Sequence, residues 1–311
     1  MDGRPIGMFD SGFGGLTVAR ALIDLAPHEE LVYVGDTGRY PYGPRDLDEV
    51  RSFAVQIARW LIEEIDVKLV VVACNTASAA ALDALRAELP VPVVGVIDPG
   101  VRALSKATRN RRVGVVGTVG TIRSGAYQRA IGALPAPLEL VPASCPGFVE
   151  FVERGETRSD QVAVLAERLL APVRDAGVDA LLLGCTHYPF LARTIADVMG
   201  RDVVLVSSAD ETAFEVRDIL DRAEEGDGGV GRGEKRRSTL RVFSSGDVEW
   251  FRTVGSRLFG EELGEVQGLS WSEPPPVTDV ATRPRVTAGA PKAGGGKGTP
   301  GAGSRPGRAT G

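Results

Sequence analysis

The amino-acid sequence predicts an α/β fold: two similar, doubly wound, mostly parallel α/β domains related by a pseudo-two-fold axis, with the active site in the cleft between them. Three observations carry this expectation. Short runs rich in Val, Ile and Leu alternate with amphipathic stretches over residues 4–270. Several of those runs are continuously apolar, as in strands buried on both faces of a parallel sheet, rather than alternating as in a half-exposed strand. Two pairs of segments also recur at nearly one offset, 107 residues from Gly7 to Gly114 and 111 from Cys74 to Cys185. In the first pair Ile6-Gly7-Met8-Phe9-Asp10 resembles Val113-Gly114-Val115-Val116-Gly117; in the second Val70-Val71-Val72-Ala73-Cys74 resembles Leu181-Leu182-Leu183-Gly184-Cys185.

Taken in order, the first strand is expected at Pro5–Phe9. It leads through the glycine-rich turn Asp10-Ser11-Gly12-Phe13-Gly14-Gly15 into a helix over Leu16–Leu25. Leu31–Gly35 is the second strand, followed by the loop Pro41-Tyr42-Gly43-Pro44-Arg45 and a helix over Asp48–Ile65. Lys68–Ala73 runs into Cys74-Asn75-Thr76 and a helix over Ala77–Glu88, and Val91–Val96 follows. Arg112–Gly117 opens the second repeat, with Thr118 and Thr121 just after it. Leu138–Pro142, a helix over Asp160–Asp175, Val178–Gly184, Val203–Ser207 and Leu240–Ser244 complete the body. Strand–helix alternation of this kind argues for parallel sheets with helical crossovers. Residues 1–97 with 208–269 are assigned to one domain and 98–207 to the other. The glycine-rich stretch 224–238 is read as an exposed loop. Residues 270–311 are read as a disordered basic tail: positions 272–311 hold 9 Gly, 7 Pro, six Lys or Arg and two Asp or Glu, too little apolar surface to offset the entropy of ordering.

Composition narrows the function classes. The chain has 311 residues, 43% hydrophobic and 25% charged, with a net charge of −5. The tail carries +4, so the remainder carries −9, which argues against a body built to bind nucleic acid or an acidic membrane. No apolar run reaches the length of a membrane span, and the apolar stretch near Met1 is too short for a signal peptide. Three cysteines, Cys74, Cys145 and Cys185, are too few and too unevenly matched for a disulfide framework, which predicts a reducing cytoplasm. With only two histidines, His28 and His187, a His/Cys metal site is hard to assemble and none is expected.

Chemistry is expected where strands end, because ligands in open α/β sheets bind outside the carboxyl ends of the strands. Cys74 and Cys185 both fall at such ends, each beside hydroxyl or amide residues: Asn75 and Thr76 after one, Thr186 and His187 after the other. Helix N-termini following them would offer backbone N–H groups to a carboxylate. A thiol ionises near pH 8.5, so a neighbouring acid or base helps move its proton. His187 can serve Cys185, and Asp10, at the end of the first strand, is the candidate for Cys74; Asp10 can equally cap the helix that follows. Gly12, Gly14 and Gly15 suggest a dinucleotide loop, but Thr17 stands where its third glycine would be, and no phosphate-binding G-x-x-x-x-G-K-[ST] loop is present. Cys145 has no partner in the repeat and reads as structural. Glu153 is ambiguous on pattern alone, with an exposed carboxylate on a helix face as the default reading.

In sequence order, Phe9-Asp10-Ser11-Gly12-x-Gly14-Gly15, Asp36 with Pro41-Tyr42-Gly43, Ala73-Cys74-Asn75-Thr76, Gly117-Thr118-x-x-Thr121 and Gly184-Cys185-Thr186-His187 resemble the cofactor-independent aspartate/glutamate racemase family over residues 4–269. Cys145-Pro146, Phe148-Val149 and Val152-Glu153 fit a further family pattern, which raises Glu153 to an acid supporting the site. The resemblance implies that Cys74 and Cys185 are the acid/base pair at Cα, Cys74 serving the D-enantiomer and Cys185 the L-enantiomer, with Asp10 assisting Cys74 and His187 assisting Cys185. It implies that Asp10, Ser11, Tyr42, Gly43, Asn75, Thr76, Thr118, Thr121, Thr186 and His187 hold the substrate. It also implies no cofactor, a homodimer, and a bacterial cytoplasmic role supplying D-glutamate for peptidoglycan. Aspartate-specific members usually carry an acid after the second Cys-Thr; His187 stands there, which implies glutamate. The stretch 224–238 and the tail depart from the pattern.

The residues fit that chemistry on their own terms. Inverting an amino acid at Cα removes a proton on one face and returns one on the other, so two bases, one from each of two like domains, need not move. Two other readings are open to the sequence: an amino-acid-binding module with two lobes and no catalysis, which leaves the paired cysteines unexplained, and nucleic-acid binding through the tail, which would weaken with salt.

Overall fold

The computed structural model describes residues 2–226 and 239–272. The chain begins β1 (Ile6–Asp10), α1 (Leu16–Leu25), β2 (Leu31–Gly35), α2 (Leu47–Glu63), β3 (Leu69–Val72), α3 (Asn75–Glu88), β4 (Val93–Gly95) and α4 (Ile97–Ala107). It continues β5 (Arg112–Gly117), α5 (Val119–Arg123), α6 (Ala126–Gly132), β6 (Glu139–Ser144), α7 (Phe148–Glu153), α8 (Asp160–Asp175), β7 (Ala180–Gly184), α9 (Ala192–Met199) and β8 (Val204–Val206). It ends with α10 (Ala209–Gly226), β9 (Leu240–Ser244), α11 (Val248–Phe259) and β10 (Val266–Gly268).

The strands form two parallel sheets. One has the order β10-β9-β2-β1-β3-β4 and the other β6-β5-β7-β8. Matching β1 to β5, β2 to β6, β3 to β7 and β4 to β8 superposes the second order on the run β2-β1-β3-β4 of the first, which is the duplication that the two recurring segments suggest. Register follows the same logic: Asp10 lies opposite Gly35, and Gly117 lies opposite Ser144. All nine strands expected from the sequence are present. The tenth, β10, pairs with β9 at the sheet edge; three residues reading Val-Gln-Gly carry no apolar run that would have announced it.

Burial explains why the strands read as continuous apolar runs. Every residue of β1, β2, β3 and β7 is buried, with helices on both faces of each sheet. Local capping fixes where the helices start. Asp46 accepts a hydrogen bond from the Asp48 amide at α2, Thr118 from Thr121 at α5, Ser159 from Val162 at α8 and Asp247 from Trp250 at α11, each satisfying an otherwise orphaned N–H. After β8 the chain returns to the first sheet: α10 packs on α1, and β9 pairs with β2 from Leu31↔Leu240 to Gly35↔Ser244.

Two expected segments reach beyond the described residues. Of the loop drawn at 224–238, residues 224–226 continue α10 and 227–238 lie outside. Of the tail, 273–311 lie outside. Drawing the tail from 270 sets its boundary too early, because Trp271 is anchored to the body: its indole N–H donates to Asp36 at 2.7 Å and its ring meets the edge of Trp60. Among the described residues, no helix is long and apolar enough to cross a membrane.

Candidate active site

The loops after the carboxyl ends of β1, β2, β3, β5 and β7 meet between the two sheets. They enclose a cavity lined by Ser11, Tyr40, Pro41, Tyr42, Gly43, Cys74, Asn75, Thr76, Thr118, Val149, Cys185, Thr186 and His187. Its free space is about 20 Å³, room for one or two water molecules. Of the thirteen residues expected at the site, ten line this cavity; Asp10, Thr121 and Glu153 stand directly behind it, each bonded to a lining side chain.

Both thiols sit where a helical turn begins. Cys74 precedes α3, and Cys185 precedes the short 3-10 turn Tyr188–Leu191. Both are buried. Burial pushes the Cys74 thiol up to about 12; the Asp10 carboxylate adds to the rise, while the amides of Ala77 and Ser11 and the Ser11 hydroxyl, 3.8 Å from the sulfur, oppose it. Burial likewise holds the Cys185 thiol well above its ordinary value. The amides of His187 and Tyr188 oppose the rise, and Cys74 and Asp10 add to it. Each sulfur is thus protonated at neutral pH, yet faces two backbone N–H groups that would stabilise it as a thiolate.

Polar partners cross the cleft. Asp10 Oδ2 accepts from the Gly15 amide at 2.8 Å and from Thr186 Oγ1 at 3.3 Å, while its Oδ1 is buried without a partner. Asp10 is not the N-cap of α1, a position that Gly15 holds with no side-chain cap bond; one of its oxygens instead closes the turn into the helix through the Gly15 amide, and the same oxygen reaches Thr186 of the second half. His187 Nε2 lies 2.9 Å from Glu153 Oε1, so Glu153 is no exposed helix-face carboxylate; its side chain is 13% exposed and backs the histidine. Phe13 packs edge-on against the imidazole at 4.9 Å between ring centres. Thr76, Thr118 and Thr121 form a triangle of hydroxyls 2.9–3.1 Å apart that joins the first half to the second. Gly43 accepts at its carbonyl from the Gly120 amide at 2.8 Å, and a Cβ at position 43 would sit 2.8 Å from Thr118 Cβ, so only glycine permits this approach.

Asn75 gives its Nδ2 to the Tyr127 hydroxyl at 2.8 Å, leaving Oδ1 buried and unpaired. Tyr127, on α6, thus orients a site residue across the interface, and nothing in its sequence setting announces it. Tyr40, Pro41 and Val149 also line the cavity without having been singled out as site residues. Pro41 and Val149 stand inside motifs already quoted, and Tyr40 directly precedes one, so the signal was adjacency.

Two thiols at equivalent strand ends of two like halves, lining one cavity, are what inversion at a carbon by two bases requires. The chain belongs to the Asp/Glu/Hydantoin racemase family, whose profile matches residues 16–215. Glutamate racemase of Acidothermus cellulolyticus is 48% identical over 274 residues, covering 86% of this chain and 100% of that protein. Among solved structures, glutamate racemase isoform RacE1 from Bacillus anthracis is similar with a TM-score of 0.80 and 38% identity, covering 88% of this chain and 99% of that one. The glutamate racemase from Francisella tularensis in complex with D-glutamate has a TM-score of 0.78 and 33% identity, over 87% of this chain and 98% of that one.

Proposed function

We infer that this protein interconverts L- and D-glutamate by two-base proton transfer at Cα, without a cofactor, and supplies D-glutamate for peptidoglycan synthesis. The observation that carries this reading is the placement of Cys74 and Cys185 on one cavity from equivalent positions of a duplicated fold, in a chain about half identical to a glutamate racemase along its length.

The residues divide the work as follows. One cysteine acts as thiolate and takes the Cα proton; the other, as thiol, gives its proton to the opposite face. Turnover leaves the two roles exchanged. At about 12, Cys74 is almost wholly protonated at neutral pH, so the thiolate must form as substrate binds. The substrate ammonium supplies a positive charge that burial otherwise denies the sulfur. Asp10 passes the proton at Cys74. His187, held by Glu153, does so at Cys185. Ser11, Tyr42, Gly43, Asn75, Thr76, Thr118 and Thr186 hold the substrate's charged groups, with Thr121 positioning the Thr76 and Thr118 hydroxyls from behind, and donors at the α-carboxylate stabilise the carbanionic transition state. The side chains packed around the two thiols keep bulk water from the reacting centre. The protein acts in the cytoplasm as a homodimer.

Circular dichroism of the purified protein with L-glutamate and nothing else added tests the reading. The signal should decay to zero, and should do the same from D-glutamate, with aspartate far slower. Binding without loss of ellipticity and without entry of solvent deuterium at Cα would leave an amino-acid-binding module; faster racemisation of aspartate would replace the substrate.

A further inference from the structure

Behind the substrate loop lies a fully buried carboxylate that the proton transfers do not use. Asp36 follows β2, and each of its oxygens accepts two hydrogen bonds. Oδ2 accepts from Arg39 Nε at 2.7 Å and from the Tyr42 hydroxyl; Oδ1 accepts from Ser245 Oγ at 2.5 Å and from Trp271 Nε1 at 2.7 Å. A carboxylate offers about four lone-pair sites, and here all are filled. The donors come from three distant parts of the chain: the substrate loop itself, the end of β9, and the segment after β10.

That last segment is fastened independently. The Leu269 amide donates to the Ser244 carbonyl at 2.8 Å, and Gln56 Nε2 donates to the Ser272 carbonyl at 2.9 Å. The Trp271 ring meets Trp60 edge-on at 6.2 Å between ring centres, and the Arg39 guanidinium lies between Trp271, at 5.0 Å, and Phe53, at 4.2 Å. On the other side, Tyr42 and Gly43 line the cavity, and Gly43 is bonded to Gly120 of the second half. A continuous line of contacts therefore runs from Trp271 through Asp36 and Tyr42 to the cavity wall.

We propose that Trp271 is a positioning residue for substrate binding: its indole N–H completes the coordination of the buried Asp36 carboxylate, which holds Tyr42 and Gly43 at the cleft. The proposal rests on the glutamate reading only for its kinetic consequence. Tyr42 and Gly43 bind substrate and transition state alike, so loosening them removes uniform binding, which raises KM and leaves kcat. Losing one donor to a buried charge has a cost of the size that makes KM rise about tenfold.

Trp271→Phe removes the N–H and keeps a ring against Trp60 and Arg39; Trp60→Phe trims the same packing and leaves the N–H on Asp36. Hydrogen–deuterium exchange gives a readout independent of catalysis. The amides of Arg39 and Arg45, bonded to the Asp36 and Tyr42 carbonyls, should exchange several-fold faster in Trp271→Phe and at the wild-type rate in Trp60→Phe. In glutamate racemisation, Trp271→Phe should raise KM about tenfold with kcat within about twofold, while Trp60→Phe keeps both near wild type. Wild-type loop exchange in Trp271→Phe overturns the proposal, as does an equal effect of the two variants, which would reduce Trp271 to packing. A wild-type protein inactive on glutamate sinks the glutamate reading instead, and the exchange result then decides the positioning role alone.

Discussion

Replacing Asp10 by Asn sets two physical effects of opposite sign against each other at Cys74. Asp10 is fully buried, and its charge is the second cause, after burial, of the rise of the Cys74 thiol to about 12. At that value about one molecule in 100,000 carries the thiolate at pH 7, and forming it costs about 7 kcal/mol. Removing the carboxylate therefore eases ionisation, and if Asp10 were only a charge, Asp10→Asn would be faster. If Asp10 passes the Cys74 proton, its loss slows the step by about 100- to 10,000-fold. We expect the second outcome. Asn preserves the bond from the Gly15 amide, so the turn into α1 survives. Enantiomers have equal free energy in water, so kcat/KM must remain equal from L- and D-glutamate in any variant, and the asymmetry has to be read elsewhere. Elimination of HCl from β-chloroalanine needs one base: the Cα proton leaves to a thiolate, chloride departs, and the resulting enamine hydrolyses to pyruvate and ammonium. In Asp10→Asn, pyruvate formation from the D-enantiomer should fall by about 100-fold or more, while the L-enantiomer stays within a few-fold. Equal loss from both enantiomers, or a gain from the D-enantiomer, refutes the relay.

Cys74→Ser and Cys185→Ser should each abolish racemisation, keep the fold, and retain elimination from opposite enantiomers of β-chloroalanine; near wild-type racemisation by either removes the two-base mechanism. Gly14→Ala would place a Cβ 2.5 Å from Thr186 Oγ1 and 2.7 Å from His187 Nδ1. The second half must then shift by roughly 1 Å, and activity should drop about 100-fold with an unchanged far-ultraviolet spectrum; retained activity would show that the cleft adapts. Cys145, pushed to about 12 by burial alone, is expected to act on stability and not on turnover. Its folded-state value lies above the unfolded one, so above about pH 9 the unfolded chain holds fewer protons and stability falls, by about 1.4 kcal/mol per pH unit. Melting temperatures of Cys145→Ala should therefore decline less steeply between pH 9 and 11 than wild type, with racemisation intact; parallel slopes would count against this.

Strands were legible wherever burial on both faces wrote a continuous apolar run, as in Leu69–Val72 and Ala180–Gly184. β10 was not, because an edge strand of three residues needs only Val266 inside. The cleft residues were legible because they follow strand ends in a repeated order. What pattern could not supply is pairing across distance. Glu153 reads as an exposed helix face until His187, 34 residues on, is placed 2.9 Å away. Tyr127 has no local mark of its bond to Asn75. Trp271 sits beside a stretch rich in glycine and proline, yet its indole is held 235 positions away at Asp36, and no local periodicity encodes that.

The order of the strands has a consequence for how the chain is made. β1 to β4 are contiguous, as are β5 to β8, so each four-stranded unit can assemble from what has already left the ribosome. β9 is different: it pairs with β2 across some two hundred residues, and a contact of such separation closes late. Ser245 follows β9, and Trp271 is nearly the last described residue, yet both bind the carboxylate behind the substrate loop. A nascent chain can thus own both thiols and two folded halves while the wall that holds glutamate is unfinished; that wall is completed only when the end of the body arrives.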